Sequence, residues 1–401
     1  MRICDTNSLY SETGGGIRIY HDRKLEYFAG RPEHSIALVI PGRNTDCTVD
    51  GNTSVYRVKS LPLLNSGYRL IVDSGGLTSA FGDFKPDLVE VGSPYLLPIH
   101  TRKALGNSDV PIVGFYHSDY PDSYVKPFAS KYFPGLAGPL TRLARSHVRK
   151  TYGGMTAVFA ASRCILQKLY DSGVKRLFLT PLGVSTDQFS PSRRSDDFRR
   201  TLGVCSGSKL VLYLARLHRE KGLDLLIAAY PLFRDPASIK LVIGGHGPAE
   251  GRLVEFIKKY PEVRRLPYLP DRDAVAEAMA SADVYLSLGQ SETFGLASLE
   301  AIACGTTPVL PDSGASGDMA ASLGFVPPYR SDSPESLANA IVSAAAMSDS
   351  ETTGYLRRFA LDGHDWDSVF RRIEVFYERI ISAFRDGDPD SLIPPEKWWE
   401  E

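Results

Sequence analysis

Three times along the chain a short apolar run ends in a polar or glycine-bearing turn and gives way to a helical pattern. The runs are Met1–Asp5 before Gly14–Gly16 and Ile17–Phe28, Lys209–Leu214 before Arg216–Lys221 and Gly222–Asp224, and Asp283–Leu288 before Gly289–Thr293 and Phe294–Ala303. Strand signals that alternate with helix signals through both halves argue for parallel sheets covered by helices, an α/β fold. At 401 residues the chain exceeds what one hydrophobic core usually serves, so two domains are expected. The charged stretch Arg193–Leu202 reads as a linker.

The third unit carries the sharpest chemistry. Leu296, Leu299 and Ile302/Ala303 recur at helical spacing, with Gly305 as the stop. Glu292 then lies at the strand's carboxyl edge and Glu300 about a turn and a half into the helix. Between them the N–H groups of Phe294, Gly295 and Leu296 lack intrahelical acceptors, so they can receive a phosphate or a sugar hydroxyl. Gly295 allows a ligand close to the backbone. On their own the two glutamates also fit a plainer reading, one favouring the helix dipole and the other on a solvated face.

Two further turns stand at strand ends. Arg216 and Lys221 follow Lys209–Leu214 just before a helix opens, an arrangement that suits a diphosphate or, equally, ordinary surface cations. Ile243-Gly-Gly-His-Gly-Pro248, which includes Gly245, follows the apolar run Ile239–Ile243 and is not the G-x-G-x-x-G dinucleotide fingerprint. His246 reads as a turn residue.

Taken in order, Leu212-Tyr-Leu-Ala-Arg-Leu-His-Arg-Glu-Lys-Gly-Leu223, Ile243–Pro248 and Ser291-Glu-Thr-Phe-Gly-Leu-Ala-Ser-Leu-Glu300 resemble the retaining glycosyltransferases of family 4, whose E-x7-E element matches Glu292 and Glu300. The resemblance implies a GT-B fold: two Rossmann-like domains facing across a cleft, with a C-terminal helix returning to the first. It implies boundaries of 1–185 for the acceptor domain, 186–363 for the nucleotide-sugar domain, 364–385 for the returning helix and 386–401 for a peripheral tail, with Pro181–Pro191 as the connector. Trp366–Phe384 is itself an amphipathic helix by spacing.

By the same resemblance Arg216 and Lys221 neutralise the departing diphosphate, Glu292 holds sugar hydroxyls, and Glu300 holds the ribose. Gly245, Phe294, Gly295 and Leu296 would line the donor. Gly15 and Gly16, in the glycine loop from Gly14, would lie over the phosphate and acceptor. His117, ending Ile112–Tyr120, would contact the transferred sugar, and Ser162-Arg163 matches a position near the cleft. Two departures are visible: Ala215 stands where the family usually has glycine, and so does Pro270 in Arg265–Pro270.

The reaction implied is transfer of a hexose, of the mannose or glucose class, from a UDP- or GDP-sugar to a glycan or lipid-linked acceptor with retention of configuration. Retaining glycosidases set two carboxyls about 5 Å apart across the bond, whereas the family's reaction is front-face, the phosphate itself taking the acceptor proton. Arg and Lys supply the neutralising charge, so neither a metal nor another cofactor is expected. A GT-B nucleotide-sugar epimerase and a non-catalytic nucleotide-sugar binder are the alternatives.

Five cysteines form no C-x-x-C pair and eight histidines show no zinc-ligand spacing. No run approaches the ~20 apolar residues that span a bilayer, and the start lacks a signal-peptide pattern. A cytoplasmic setting is expected. A net charge of −1 gives no general attraction to nucleic acid. Residues 126–150 nevertheless carry six cations (Lys126, Lys131, Arg142, Arg145, Arg149, Lys150) and no Asp or Glu, interleaved with Phe128, Tyr132, Phe133, Leu136 and Leu140. The stretch reads either as a surface resting on the inner face of a membrane or as a solvated helix face.

Overall fold

The computed structural model describes residues 1–11, 15–63, 68–269, 271–289 and 292–394. The chain divides into two compact units, Met1–Leu182 with Trp366–Glu401, and Gly183–Asp365.

Among the described residues of unit 1, eight strands form one sheet: β1 (Arg2–Thr6), β2 (Ser35–Gly42), β3 (Asp46–Asp50), β4 (Thr53–Lys59), β7 (Leu88–Val91), β8 (Ile112–Phe115), β9 (Ala157–Ala160) and β10 (Leu177–Leu179). Their order is β10-β9-β8-β7-β1-β2-β4-β3, and only β3 runs antiparallel to its neighbour. The pair β5 (Leu61–Pro62) and β6 (Arg69–Leu70) stands apart as a small antiparallel ribbon. The central strands are apolar throughout rather than alternating, because helices cover both faces. Ala157–Ala160 is buried at every position.

Glu90 in β7 and Asp5 in β1 break that apolar run while being fully buried, and they are neutralised by Lys24 from the helix Gly16–Ala29. The helix Trp366–Arg385 belongs to this unit. Its buried face, Val369, Phe370, Ile373, Tyr377 and Ile380, follows the helical period and packs on the first helix, with Tyr27 donating to Glu374 at 2.7 Å and Phe370 set 5.5 Å from Tyr20.

Among the described residues of unit 2, five parallel strands, β11 (Lys209–Leu214), β12 (Ile239–Gly244), β13 (Arg264–Leu266), β14 (Val284–Leu286) and β15 (Thr307–Val309), pair in the order β13-β12-β11-β14-β15. Order reverses between β11 and β14, and in such sheets ligands bind outside the carboxyl ends of the strands at the reversal.

Three expectations change. The division falls after Leu182 rather than Ser185, because Val184 donates to the His364 carbonyl at 2.7 Å and Arg357 binds the carbonyls of Thr186 and Phe189. For the same reason residues 364–365 go with unit 2. The linker-like stretch is structured: Ser195 caps a helix Asp196–Thr201, and Arg199 pins it to Asp283 at 2.8 Å. Surface-like composition concealed a segment held by tertiary contacts. The tail is less peripheral than its composition suggests, since Asp388 caps the turn Pro389–Leu392, Leu392 is buried, and Asp390 meets Arg176 at 3.2 Å. Trp398 and Trp399 lie outside the described residues.

Candidate active site

At the carboxyl ends of β11 and β12 two turns interlock through their backbones. Leu217 N–H donates to the His246 carbonyl at 2.9 Å, and Ala249 N–H donates back to Leu217 at 2.8 Å. A Cβ on Gly245 would sit 1.9 Å from the Ala215 carbonyl oxygen, and its φ of +122° suits glycine alone. Gly245 thus shapes the turn that carries Arg216. Ala215 shows no positive φ, so its side chain is compatible with the turn. His246 is exposed and pairs with Glu250 at 2.8 Å, in keeping with a turn residue.

Lys221 and Glu292 form a close ion pair with side chains 22% and 30% exposed. Gly289 makes room for it: a Cβ there would lie 3.1 Å from Glu292 Oε1 and 3.5 Å from Lys221 Cδ. Gly222, with φ of +77°, begins the helix Leu223–Phe233 against Leu288, where a Cβ would meet the Leu288 carbonyl at 2.6 Å. The ends of β11 and β14 are joined by glycine contacts, which bring residues about seventy apart in sequence to one spot. Arg216 is 72% exposed, and Glu220 is 3.4 Å away.

The helix that follows β14 runs Leu296–Ala303, beginning later than the Phe294 start that the sequence suggests. Gly295 is its N-cap at φ +95° with no side-chain cap. The Ser298 and Leu299 amides bond to the Gly295 carbonyl, while Gly295, Leu296 and Ala297 N–H groups have no acceptor within the helix. Phe294 is buried, its ring 6.4 Å from that of His364.

Glu300 is buried and paired with Arg272 at the start of the helix Arg272–Ser281, whose guanidinium lies 4.7 Å from the Phe189 ring centroid. Burial raises the Glu300 carboxyl, against the pull of Arg272. Arg272 was not singled out by sequence. The signal available was its place two residues after Pro270, where the sequence departs from the family's glycine; Pro270, Gln290 and Ser291 lie outside the described residues.

The remaining candidates belong to unit 1. Gly15 caps the helix Gly16–Ala29, with open space where a Cβ would go, and Gly16 is its first residue; Gly14 lies outside the described residues. His117 follows β8, stacked on Phe115 at 4.1 Å and edge-on to Tyr20 at 5.0 Å. Desolvation of the ring holds its imidazole well below the usual histidine range, so it is neutral near pH 7. Ser162 caps the helix Arg163–Asp171 by accepting from Ile165 N–H, a structural task. Glu33, His34 and Glu374 come close enough to suit a metal ion, but the Tyr27 hydroxyl and Arg31 already occupy and neutralise Glu374.

The stretch 126–150 forms the helices Lys126–Tyr132 and Ala137–Gly153 with a short turn between. Phe128, Tyr132, Phe133, Leu136 and Leu143 are all at least half exposed, and Phe128 and Tyr132 rings touch at 4.9 Å. Arg145 pairs with Asp122 from the preceding turn. No helix among the described residues is long and apolar enough to cross a membrane.

Residues 195–356 match the family described as Glycosyl transferases group 1, and residues 14–188 match Glycosyltransferase Family 4. A GDP-mannose-dependent alpha-(1-6)-phosphatidylinositol dimannoside mannosyltransferase of Mycobacterium tuberculosis is 30% identical over 321 residues, 77% of this chain and 79% of that protein. A GDP-mannose-dependent alpha-mannosyltransferase of Mycolicibacterium smegmatis is 29% identical over 300 residues, 73% of this chain and 74% of that one. Among solved structures, sucrose-phosphate synthase from Thermosynechococcus elongatus superposes with a TM-score of 0.74 over 96% of this chain and 100% of that one at 18% identity. Anabaena HepE in complex with UDP superposes with 0.68 over 94% and 100%, also at 18%. At such identity the likeness is one of fold.

Proposed function

Because the chain belongs to the group 1, family 4 glycosyltransferases, we propose that it transfers mannose from GDP-mannose to a phosphatidylinositol-type glycolipid. The donor and acceptor classes rest on the activity of the mycobacterial relative, aligned over 77% of this chain. The observation that carries the chemistry is the Lys221–Glu292 pair joining the carboxyl ends of β11 and β14, with Arg216 in the turn after β11 and the helix N-terminus at Gly295 after β14.

As the bond from the anomeric carbon to the diphosphate breaks, its electron pair stays on the phosphate oxygen. Arg216, Lys221 and the Gly295-side amides face that growing charge, each preorganised donor being worth roughly 10²–10³ in rate. Arrival of the diphosphate draws Lys221 off Glu292, which turns to the sugar hydroxyls. Glu300, steadied by Arg272, takes the ribose. The acceptor oxygen bonds the anomeric carbon on the face the phosphate leaves, and its proton passes to a phosphate oxygen, giving the retained glycoside and a nucleoside diphosphate. His117, being neutral, can hydrogen-bond the sugar without adding charge. Two side-chain cations serve in place of a divalent metal.

The aromatic and basic surface on Lys126–Tyr132 and Ala137–Gly153 suits a lipid-linked acceptor: exposed rings enter the interface while Lys126, Lys131, Arg142, Arg149 and Lys150 meet anionic headgroups. Five free cysteines agree with a reducing cytoplasmic side.

The test is transfer of radiolabelled mannose from GDP-mannose to phosphatidylinositol mannosides in vesicles, with and without EDTA, set against UDP-glucose. Labelled lipid with retained configuration, unaffected by EDTA and lost in Arg216→Ala, is expected. Labelling from UDP-glucose alone overturns the donor assignment, and EDTA sensitivity overturns the metal-free chemistry.

A further inference from the structure

The mechanism above leaves unused a buried polar chain in unit 1, which begins at the heart of the sheet and ends beside His117. Lys24 Nζ donates to Asp5 Oδ2 at 2.8 Å and to Glu90 Oε1 at 3.0 Å, with all three side chains at most 1% exposed. His21, also buried, places Nδ1 3.0 Å from the same Asp5 oxygen and Nε2 2.9 Å from Asn7 Nδ2. Asn7 Oδ1 accepts the Leu9 N–H at 2.8 Å, and Asn7 N–H donates to Val39 at 3.1 Å.

The direction of every hydrogen bond in this chain follows from its last member. A backbone amide can only donate, so the Asn7 carbonyl oxygen faces Leu9 and its amide nitrogen faces His21. That nitrogen also can only donate, so His21 Nε2 accepts and its proton is on Nδ1, directed at Asp5. Asp5 sets the tautomer, and the tautomer sets the amide.

Asn7 stands where β1 ends. A Cβ on Gly92, after β7, would fall 2.4 Å from Asn7 Nδ2 and 3.1 Å from His117 Cδ2, so the Asn7 amide and the His117 ring flank one glycine-sized slot. The His21 and His117 rings are 5.9 Å apart. Fixing Asn7 therefore fixes both the exit of the chain from β1 and one wall of the seat of His117.

We propose that His21 is a positioning residue for sugar transfer: held by Asp5, it locks the Asn7 amide, and through Asn7 it sets the β1 exit and the seat of His117. The inference rests on the transferase reading above. It concerns unit 1 alone, so nucleotide binding by unit 2 does not depend on it.

The experiment compares wild type, His21→Phe, His21→Gln, Asn7→Ala and Arg216→Ala in the lipid transfer assay, with donor KM and the thermal shift on adding GDP measured in parallel. His21→Phe and Asn7→Ala should lower kcat roughly 10- to 100-fold, the scale of an ångström-sized misplacement of a reacting partner. Donor KM should stay within about twofold and the GDP shift unchanged, with kcat normalised to the fraction of protein that titrates with GDP, because loss of folded protein also lowers turnover at constant KM. His21→Gln keeps one donor and one acceptor in the chain and should recover most of the turnover. Should His21→Phe fail to fold, Asn7→Ala alone decides, because it leaves the Lys24–Asp5–His21 bonds in place. Wild-type turnover in Asn7→Ala, or a donor KM that rises in step with the loss of kcat, overturns the proposal. An inactive wild type instead overturns the transferase reading, whereas an active wild type with a dead Arg216→Ala upholds that reading whatever His21 does.

Discussion

Each unit gathers lysine and carboxylates at its central strands, and the two clusters are built in opposite ways. In unit 1, Lys24, Asp5 and Glu90 are sealed, and the lysine is shared between both acids while Tyr20 and Tyr377 close over Glu90. In unit 2, Lys221 and Glu292 remain 22% and 30% exposed at the strand ends, and Arg216 is mostly in solvent. Burial pushes the Lys24 amine down, but its two acids raise it further, so it stays charged. The Asp5 carboxyl, pushed up by burial, is brought well below the usual range by His21 and Lys24. A sealed pair is out of a ligand's reach. An open pair can exchange its partner for a phosphate or a hydroxyl.

Exchanging the lysines tests that contrast most severely. Lys24→Met leaves Asp5 and Glu90 buried without their cation and should cost about 3–5 kcal/mol of stability, read as a collapse of the unit 1 transition in calorimetry. Lys221→Met should leave the melting profile within about 0.5 kcal/mol of wild type while lowering kcat roughly 10²–10³-fold. If Lys24→Met melted normally, or if Lys221→Met lost its activity only by unfolding, the division between a structural and a chemical cluster would fail.

The open cluster was legible in the sequence and the sealed one was not. Glu292, Glu300, Arg216 and Lys221 stand in contiguous turn and helix segments, where strand-end position and charge say what a ligand could find. Asp5, His21, Lys24 and Glu90 are scattered over three elements, and each looks like an isolated exception to an apolar pattern. A signal existed in Ile3-Cys4-Asp5 and Leu88-Val89-Glu90-Val91, where a carboxylate occupies a position that neighbours mark as buried and so requires a cation from elsewhere. The strand-to-helix alternation revealed the sheets, but the Asp196–Thr201 helix was hidden because two of its anchors, Asp283 and the Ser281 carbonyl, are distant in sequence. Arg272 was missed for a like reason: its partner Glu300 lies on another helix.

Intermediate effects sharpen the comparison within each cluster. Glu90 also takes the Tyr377 hydroxyl from the helix Trp366–Arg385, a bond to a buried carboxyl from a helix distant in sequence. Tyr377→Phe should cost about 1.5 kcal/mol, the lower end for a hydrogen bond to a charged group, because Lys24 and Tyr20 still hold Glu90. Across in unit 2, Arg272→Met should weaken GDP binding by more than tenfold in titration calorimetry, with a smaller change in melting. A large loss of stability with unaltered affinity would instead make Arg272–Glu300 a second sealed pair.

The smallest expected effect concerns protons. His117 is half-buried, and desolvation of its ring holds the imidazole below the usual histidine range. A histidine near 6.5 when unfolded and lower when folded adds stability that is complete above about pH 6.5. As pH falls below that value the unfolded chain takes up a proton that the folded chain refuses, at a cost of at most ~1.4 kcal/mol per pH unit, until the folded value is reached. Glu300 has the opposite sign: burial raises its carboxyl, so its contribution is complete below the unfolded value near 4.3 and declines as pH rises through the folded one. Between pH 6.5 and 5 the unit 1 transition should therefore weaken with acid, and His117→Phe should flatten that slope. As pH rises from about 4.3, Glu300→Gln should alter the unit 2 transition in the opposite sense. Equal slopes in wild type and His117→Phe would mean that His117 takes up its proton as readily folded as unfolded, and the desolvated seat assigned to its ring would have to be abandoned.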